Sequence, residues 1–96
     1  MPSVKIGRSD RDGKKMKAVF TDHDGGKKTI HFGAEGMSDY TKNKDDERKK
    51  RYLARHKKNE NWSDPKTAGS LSRHILWNKK SLSASIADFK NKFNLK

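Results

Sequence analysis

The residues of this sequence best suited to chemistry are the cations of the run R-K-K-R-Y-L-A-R-H-K-K, from Arg48 to Lys58. Seven of these eleven residues are Lys or Arg. The run contains no acid, so cations follow one another at helical spacings of three and four, which costs roughly a few tenths of a kcal/mol per pair. Such a segment indicates that an external anion neutralises it. The chemistry that the pattern predicts is anion binding, not catalysis.

The predicted anion contacts come from this run and from one cation further along the chain. They are Arg48, Lys49, Lys50, Arg51, Arg55, His56, Lys57, Lys58 and Arg73. If the anion is nucleic acid, Asn59 and Asn61 would reach base edges together with Arg55 and His56, but nothing separates such contacts from phosphate contacts. We therefore predict binding that is largely independent of base sequence. Two plainer interpretations stay open: a charged helix face that meets only solvent, and a nuclear-import signal.

Other residues capable of chemistry have simpler explanations. The segment D-H-D-G-G at Asp22–Gly26 resembles the start of a calcium loop, but it lacks the later ligands and the closing glutamate, and a hairpin turn accounts for it. The histidines at positions 23, 31, 56 and 74 lack metal-ligand spacing. The adjacent carboxylates Asp45 and Asp46 lie where a helix start favours acids. We predict no enzymatic activity, no metal and no cofactor.

The cationic run is predicted to lie on a helix from Asn43 to about Lys58. Asn43 is a suitable N-cap, and the acids at 45–47 would lie in the first turn, where carboxylates complement the helix dipole. The only apolar residues of this helix are Tyr52–Ala54. That stripe is too narrow to bury more than one edge, so the other faces must meet solvent or an anion.

Composition limits the chain to one small domain. It has 96 residues, of which 29% are hydrophobic and 38% charged, and it carries a net charge of +12. Residues 1–40 contribute +2 and residues 41–96 contribute +10, so the basic half is the C-terminal one. Such a field attracts polyanions, and nucleic acid is favoured over an anionic membrane surface or an acidic protein patch. There is no cysteine, so the compartment cannot be inferred from redox chemistry.

Hydropathy predicts no membrane attachment and no secretion. No apolar run approaches the roughly 20 residues of a membrane-spanning helix, and the N-terminus lacks the apolar region of a signal peptide. We expect the protein in the cytoplasm or nucleus, or in a particle that is assembled there.

The N-terminal third alternates apolar and polar residues with a period of two. This alternation is interrupted by D-R-D-G at 10–13 and by D-H-D-G-G at 22–26, and Asp-Gly is a strong hairpin signal. The pattern predicts a three-stranded antiparallel β-meander with one apolar face. The predicted buried residues are Val4, Ile6, Met16, Ala18, Phe20, Ile30 and Phe32.

Between the sheet and the basic helix, residues 34–42 are predicted to form a connector, with Met37 and Tyr40 against the edge of the core. A second helix is expected to begin at Asp64–Pro65, with Thr67 as an alternative cap. It would bury the apolar residues at 71, 75 and 76. Trp62 and Trp77 would either stack on bases or anchor the small core, and the second interpretation is favoured for both.

The third predicted helix has the most regular apolar stripe in the chain. Ser81 would cap it, and Leu82, Ile86, Phe89 and Phe93 recur at spacings of four, three and four. A three-stranded sheet with one apolar face needs a cover, and this helix is the predicted lid.

The predicted fold class is α+β, with a three-stranded antiparallel β-meander followed by about three α-helices in a single small domain. This domain spans residues 1–96, divided into the meander at 1–33, the connector at 34–42 and the basic helical part at 43–96.

The C-terminal part of the sequence contains four motifs in a fixed order: S-D-Y-T-K-x-K-D-D-E-R-K-K-R-Y-L-A-R-H at 38–56, N-W-x-D-P at 61–65, T-A-G-x-L-S-R at 67–73 and L-W-N-K at 76–79. On these motifs the chain resembles a family of small basic proteins of unknown function that is associated with large double-stranded DNA viruses of algae and protists and with some phages. The resemblance covers over half of the chain. It implies a viral origin and a presence in or near the virion, and it implies no catalytic residue.

Two functions are compatible with these observations. In the first, the protein binds nucleic acid, DNA rather than RNA, through the phosphate contacts of the basic helix. In the second, it is a minor structural protein of the virion, and its basic surface docks on an acidic surface of a shell protein. The first predicts affinity that falls steeply with salt, and the second predicts fixed stoichiometry and little affinity for free DNA. Neither involves a small-molecule substrate or a membrane.

Overall fold

A computed structural model describes residues 2–58 and 61–96. Its N-terminal part is a sheet of three antiparallel strands in the order β1-β2-β3, namely β1 at Ser3–Arg8, β2 at Lys14–Thr21 and β3 at Lys27–Ala34. Ala18 pairs with Ile6 on one side and with Ile30 on the other, which brings the apolar positions of all three strands to one face. The predicted meander is confirmed, but of its predicted buried residues Ile6 and Ile30 are only partly buried, because they lie at the margin of the core.

The turn between β2 and β3 uses the residues that resemble a calcium loop. The N–H of Asp22 donates to the carbonyl of Gly26 at 2.9 Å, and the Asp24 carboxylate accepts the N–H of Gly26 at 3.0 Å. Gly25 adopts φ +85°, a conformation that glycine reaches without steric cost. The acids of this segment therefore build the hairpin turn.

The rest of the described chain consists of helical segments joined by turns and loops. The helical segments are α1 at Tyr40–Asn43, α2 at Asp46–His56, α3 at Ala68–Leu71, which continues as a π-helical turn at Ser72–Leu76, and α4 at Leu82–Lys92. The additional element relative to the predicted three helices is α1, a single turn within the expected connector. Within ranges 2–58 and 61–96, no helix is long and apolar enough to cross a membrane.

The start of α2 differs from the prediction. The helix begins at Asp46 and its cap is Asp45, whose carboxylate accepts the N–H of Glu47 at 3.0 Å. Asn43 instead ends α1, because Lys44 adopts a left-handed conformation with φ +51° that interrupts the helical path. An aspartate placed directly before the second helical segment therefore takes the capping role that was assigned to Asn43.

The other two predicted caps have different outcomes. Asp64 does not begin α3: its carboxylate accepts the N–H of Lys66 at 3.0 Å, which forms a tight turn around the intervening proline. The cap is Thr67, the alternative, whose hydroxyl accepts the N–H of Ser70 at 3.1 Å. Ser81 caps α4 as predicted, since its hydroxyl accepts the N–H of the third residue after it at 3.3 Å.

The core lies between the apolar face of the sheet and the segments α3 and α4. Phe89 is fully buried and meets Phe20 edge-on, with ring centroids 6.5 Å apart. The predicted lid is confirmed in its central part, but Leu82 is 36% exposed because it lies at the first residue of α4, beside Ile6 at the outer margin of the core. The fully or nearly buried apolar residues are Val4, Met16, Ala18, Phe20, Phe32, Tyr40, Tyr52, Leu71, Ile75, Leu76 and Phe89.

The connector contains one correction. Tyr40 is buried as expected, but Met37 is 63% exposed. The Lys15 ammonium fixes this part of the backbone, because it donates to the carbonyl of Met37 at 2.7 Å and pairs with the buried Asp39 carboxylate at 2.5 Å. The polar attachment holds the main chain against the sheet while the Met37 side chain points into solvent.

The first stability prediction concerns the contact between the lid and the sheet. We expect Phe89→Ala to lower the free energy of unfolding by about 3 kcal/mol or more, because it leaves a cavity at a fully buried position. Leu82→Ala, a change on the same helix at an exposed position, should cost less than about 1 kcal/mol. Chemical denaturation of both variants measures the difference, and equal losses would show that α4 does not cover the sheet.

The second stability prediction concerns His74. Its ring is buried against Phe89 and Phe93, and its Nε2 donates to the carbonyl of Trp62 at 2.9 Å. Burial lowers the pKa of His74 and outweighs the opposing effect of that hydrogen bond. The unfolded chain therefore binds a proton that the folded chain resists, so stability is full above about pH 7 and falls as the pH drops through about 6.5.

We expect His74→Gln to flatten this pH dependence, because glutamine has no proton to gain in that range. Denaturation of both proteins between pH 8 and pH 5.5 tests the expectation. An unchanged slope in the variant would assign the pH dependence to other groups.

Candidate functional site

Helix α2 displays a line of cations on its solvent side. Arg48, Arg51 and Arg55 are separated by three and four residues, so they share one side of the helix, and Lys58 follows just after the end of the helix; all four are exposed. We call these four residues the cationic stripe. Lys50 and Lys57 are also exposed and widen the positive surface.

No carboxylate of the described residues lies within 4.0 Å of the charged atoms of these six side chains. The acids nearest in sequence are those at the start of the helix. Asp45 caps α2, the Asp46 carboxylate accepts the hydroxyl of Tyr40, and Glu47 is exposed. This hydrogen bond raises the pKa of Tyr40. Asp45 and Asp46 therefore stabilise the start of the helix, and among the described residues the six cations have no carboxylate partner.

Lys49 differs from its neighbours because it faces the protein. Its ammonium donates to the carbonyl of Asn78 at 2.7 Å and lies 4.9 Å from the centre of the Tyr40 ring. Burial lowers the pKa of Lys49, and the nearby charge of Arg73 lowers it further. This lysine connects α2 to the segment before α4, so an anion on the outer surface would not reach it without breaking that contact.

Arg73, the predicted site residue outside the run, also has internal partners. Its guanidinium donates to the carbonyl of Trp77 at 3.2 Å and lies 5.5 Å from the centre of the Trp62 ring. Burial lowers the pKa of Arg73. The structure thus places Arg73 near Lys49 on the inner side of α2 and apart from the cationic stripe.

Three stacked rings join α2 to the end of the π-helical turn. Tyr52 lies between His56, at 4.3 Å between centroids, and Trp77, at 4.5 Å with the ring planes only 7° apart. We call these three rings the aromatic column. Tyr52 is buried, while Trp77 and His56 are half-buried. Trp77 packs against the core, as favoured for it from the sequence.

A cleft of about 380 Å³ opens between β2, β3, α2 and α3. Its charged lining residues come from distant parts of the chain: Lys14, Lys15, Asp39 and Arg55. The aromatic column forms part of the wall, beside Met37 and Leu76. Sequence reasoning missed this cleft because no local pattern connects Lys14 with Arg55; the only available signal was the pairing of aromatic and basic residues within α2.

The asparagines considered for base contacts give no support to base-specific binding. The Asn61 carboxamide accepts the N–H of Ser63 at 3.1 Å, which engages it in a local turn. Asn59 lies outside the described residues. Trp62, the other aromatic considered for base stacking, is half-buried beside Arg73.

No group of three or more His, Cys, Asp or Glu side chains within ranges 2–58 and 61–96 is arranged to hold a metal ion. The absence of a cofactor and of catalysis stays a prediction.

Fold and surface together define a small α+β domain with an exposed cationic helix. Residues 4–56 match the model of a family of unknown function, DUF5754. The chain is 42% identical over 83 residues to "Uncharacterized protein L851" of Acanthamoeba polyphaga mimivirus, a match that covers 80% of this chain and 83% of the relative. The chain therefore belongs to this family of unknown function and has a viral relative. No solved structure matches it.

Two adjacent lysines of α2 should respond differently to loss of charge. Lys49→Met removes a charged donor from the Asn78 carbonyl, and we expect a loss of about 1 to 2 kcal/mol in the free energy of unfolding. Lys50→Met, at an exposed position, should change it by less than about 0.5 kcal/mol. Denaturant titration of both variants measures this, and equal effects would contradict an internal role for Lys49.

Proposed function

We propose that the protein is a non-enzymatic, largely sequence-independent nucleic-acid-binding protein of viral origin that contacts phosphates through the outer surface of α2. DNA is the proposed polymer. The observation that carries the proposal is the set of exposed cations in α2 and directly after it with no carboxylate of the described residues within 4.0 Å: Arg48, Lys50, Arg51, Arg55, Lys57 and Lys58.

Electrostatics supports a polyanion as the partner. Cations repeated at spacings of three and four repel one another along the helix, and the interaction disfavours the helix that displays them. A polyanion relieves this repulsion, and its release of condensed counter-ions adds to the affinity. The net charge of +12 extends the attraction beyond contact distance.

Dimensions support contact with several phosphates at once. At about 1.5 Å per residue, the segment from Arg48 to Lys58 extends for about 15 Å, which corresponds to the rise of about four base pairs at 3.4 Å each. Arginine and lysine contacts to phosphates position a protein on nucleic acid but carry no base information. With Asn61 engaged in its own turn, the surface favours binding without base preference.

The proposal is tested by a filter or mobility assay over a salt series with duplex DNA, single-stranded DNA and RNA. With five or six phosphate contacts, the logarithm of the duplex affinity should fall with a slope of about 5 against the logarithm of salt concentration. We expect Arg48→Glu, Lys50→Glu and Arg51→Glu in one protein to reduce duplex retention near 0.15 M salt by about a hundredfold or more.

The matched control carries Lys5→Glu, Lys28→Glu and Lys80→Glu, three exposed lysines outside α2 with the same change in net charge. Circular dichroism should show both proteins folded, because Lys49 and Arg73 are left intact. An equal loss in the two triple variants would assign the affinity to net charge alone and reject α2 as the contact. No duplex retention by the unaltered protein, together with stoichiometric capture by an acidic polypeptide, would favour docking on an acidic virion protein.

A further inference from the structure

We propose that the cleft between β2, β3, α2 and α3 holds one nucleotide of single-stranded nucleic acid, with its phosphate between Lys14 and Arg55 and its base against the aromatic column. This inference deepens the proposed function and rests on it for the choice of nucleic acid as the anion. It adds a site for an unpaired base to a surface that otherwise contacts phosphates only.

The charges around the cleft favour an anion. Among the described residues that line it, Asp39 is the single carboxylate, and Lys15 neutralises it at 2.5 Å. Lys14 and Arg55 are exposed, and no carboxylate of the described chain lies within 4.0 Å of either. The cleft therefore keeps two positive groups, one at the start of β2 and one in the last turn of α2, that no carboxylate of residues 2–58 and 61–96 pairs with.

The wall of the cleft favours a flat, apolar group beside that anion. Both faces of the Tyr52 ring are covered, by His56 at 4.3 Å and by Trp77 at 4.5 Å, so a further ring can join the aromatic column only at its ends. Both end rings line the cleft. Nucleobases stack on aromatic side chains irrespective of their identity, which agrees with binding that has no sequence preference.

Met37 adds to this wall in an unusual way. It is a large apolar side chain that is 63% exposed, and the contact of its carbonyl with Lys15 holds its backbone at the mouth of the cleft. A flexible thioether packs well against aromatic rings. A bound base would cover part of a side chain that otherwise stays in water.

The size of the cleft limits the ligand to one unit of a strand. Its volume of about 380 Å³ lies near the lower end of the range of roughly 300 to 1,000 Å³ for small-molecule sites. Ala68 and Gly69 line it without long side chains, so the backbone of α3 leaves room for the ligand. A base inside a duplex cannot enter such a space, and the site therefore selects an unpaired nucleotide.

The probe is deoxyadenosine monophosphate, followed by a short single-stranded oligodeoxyadenylate, and the signal is tryptophan fluorescence in a Trp62→Phe background. Trp77 is then the only indole and reports on the cleft. We expect saturable quenching by the nucleotide and tighter binding of the oligonucleotide. Inorganic phosphate, which lacks the base, should bind at least about tenfold more weakly than the nucleotide.

The decisive variants remove two positive charges each. Lys14→Ala with Arg55→Ala should weaken nucleotide binding by about tenfold or more, because both charged donors are lost. The control, Lys5→Ala with Lys80→Ala, removes two exposed lysines outside the cleft and should change it by less than about twofold. If the cleft double variant fails to fold, Arg55→Gln alone repeats the comparison at an exposed position.

Three results would overturn the proposal: no saturation at millimolar nucleotide, equal weakening by the cleft and control variants, or phosphate binding as tight as nucleotide binding. The duplex assay on the same proteins separates the two claims. Duplex retention without saturable quenching rejects the cleft and leaves the phosphate surface in place. Saturable quenching without duplex retention rejects the phosphate surface and leaves a nucleotide site.

Discussion

The structure depends on how α2 is held, because this helix has almost no apolar surface to bury. Tyr52 is its single buried residue, and the helix is attached through the stacking of Tyr52 on Trp77 and through the Lys49 ammonium on a backbone carbonyl. These attachments occupy one side only. The opposite side stays in solvent with the cationic stripe, since nothing apolar is there to draw it inward. The cations are therefore exposed because the core buries only one side of this helix.

The distribution of carboxylates also contributes to the uncompensated charge of the cationic stripe. In a chain with 24 basic and 12 acidic residues, several acids have structural roles: Asp45 caps α2, Asp46 accepts the Tyr40 hydroxyl, and Asp39 caps α1 and pairs with the Lys15 ammonium. Each stabilises a local feature of the fold and none offsets the charge of the cationic stripe. The proposed polyanion would supply that compensation, and the cleft would add an unpaired base next to it through Arg55.

Much of the fold could be predicted because its signals are local. Period-two alternation and Asp-Gly turns defined the meander, and the stripe around Phe89 identified the lid. The errors are equally physical. Asn43, Asp64 and Thr67 all have capping side chains, and only backbone geometry, such as the left-handed Lys44, decides which one begins a helix. Met37 looked like a core residue, but polar attachment of its carbonyl to Lys15 turned its side chain outward.

For the candidate site, the sequence alone determined the density of cations in α2 and the narrowness of its apolar stripe, because both depend only on residue type and helical periodicity. The sequence could not distinguish cations that contact the protein from cations that face solvent. Only the tertiary structure decided that Lys49 and Arg73 face inward to backbone carbonyls while the stripe stays outside. It also decided that Lys14 and Arg55, 41 positions apart, line one cleft with the aromatic column. Contacts between distant segments arise from tertiary packing, which leaves no periodic pattern in the sequence.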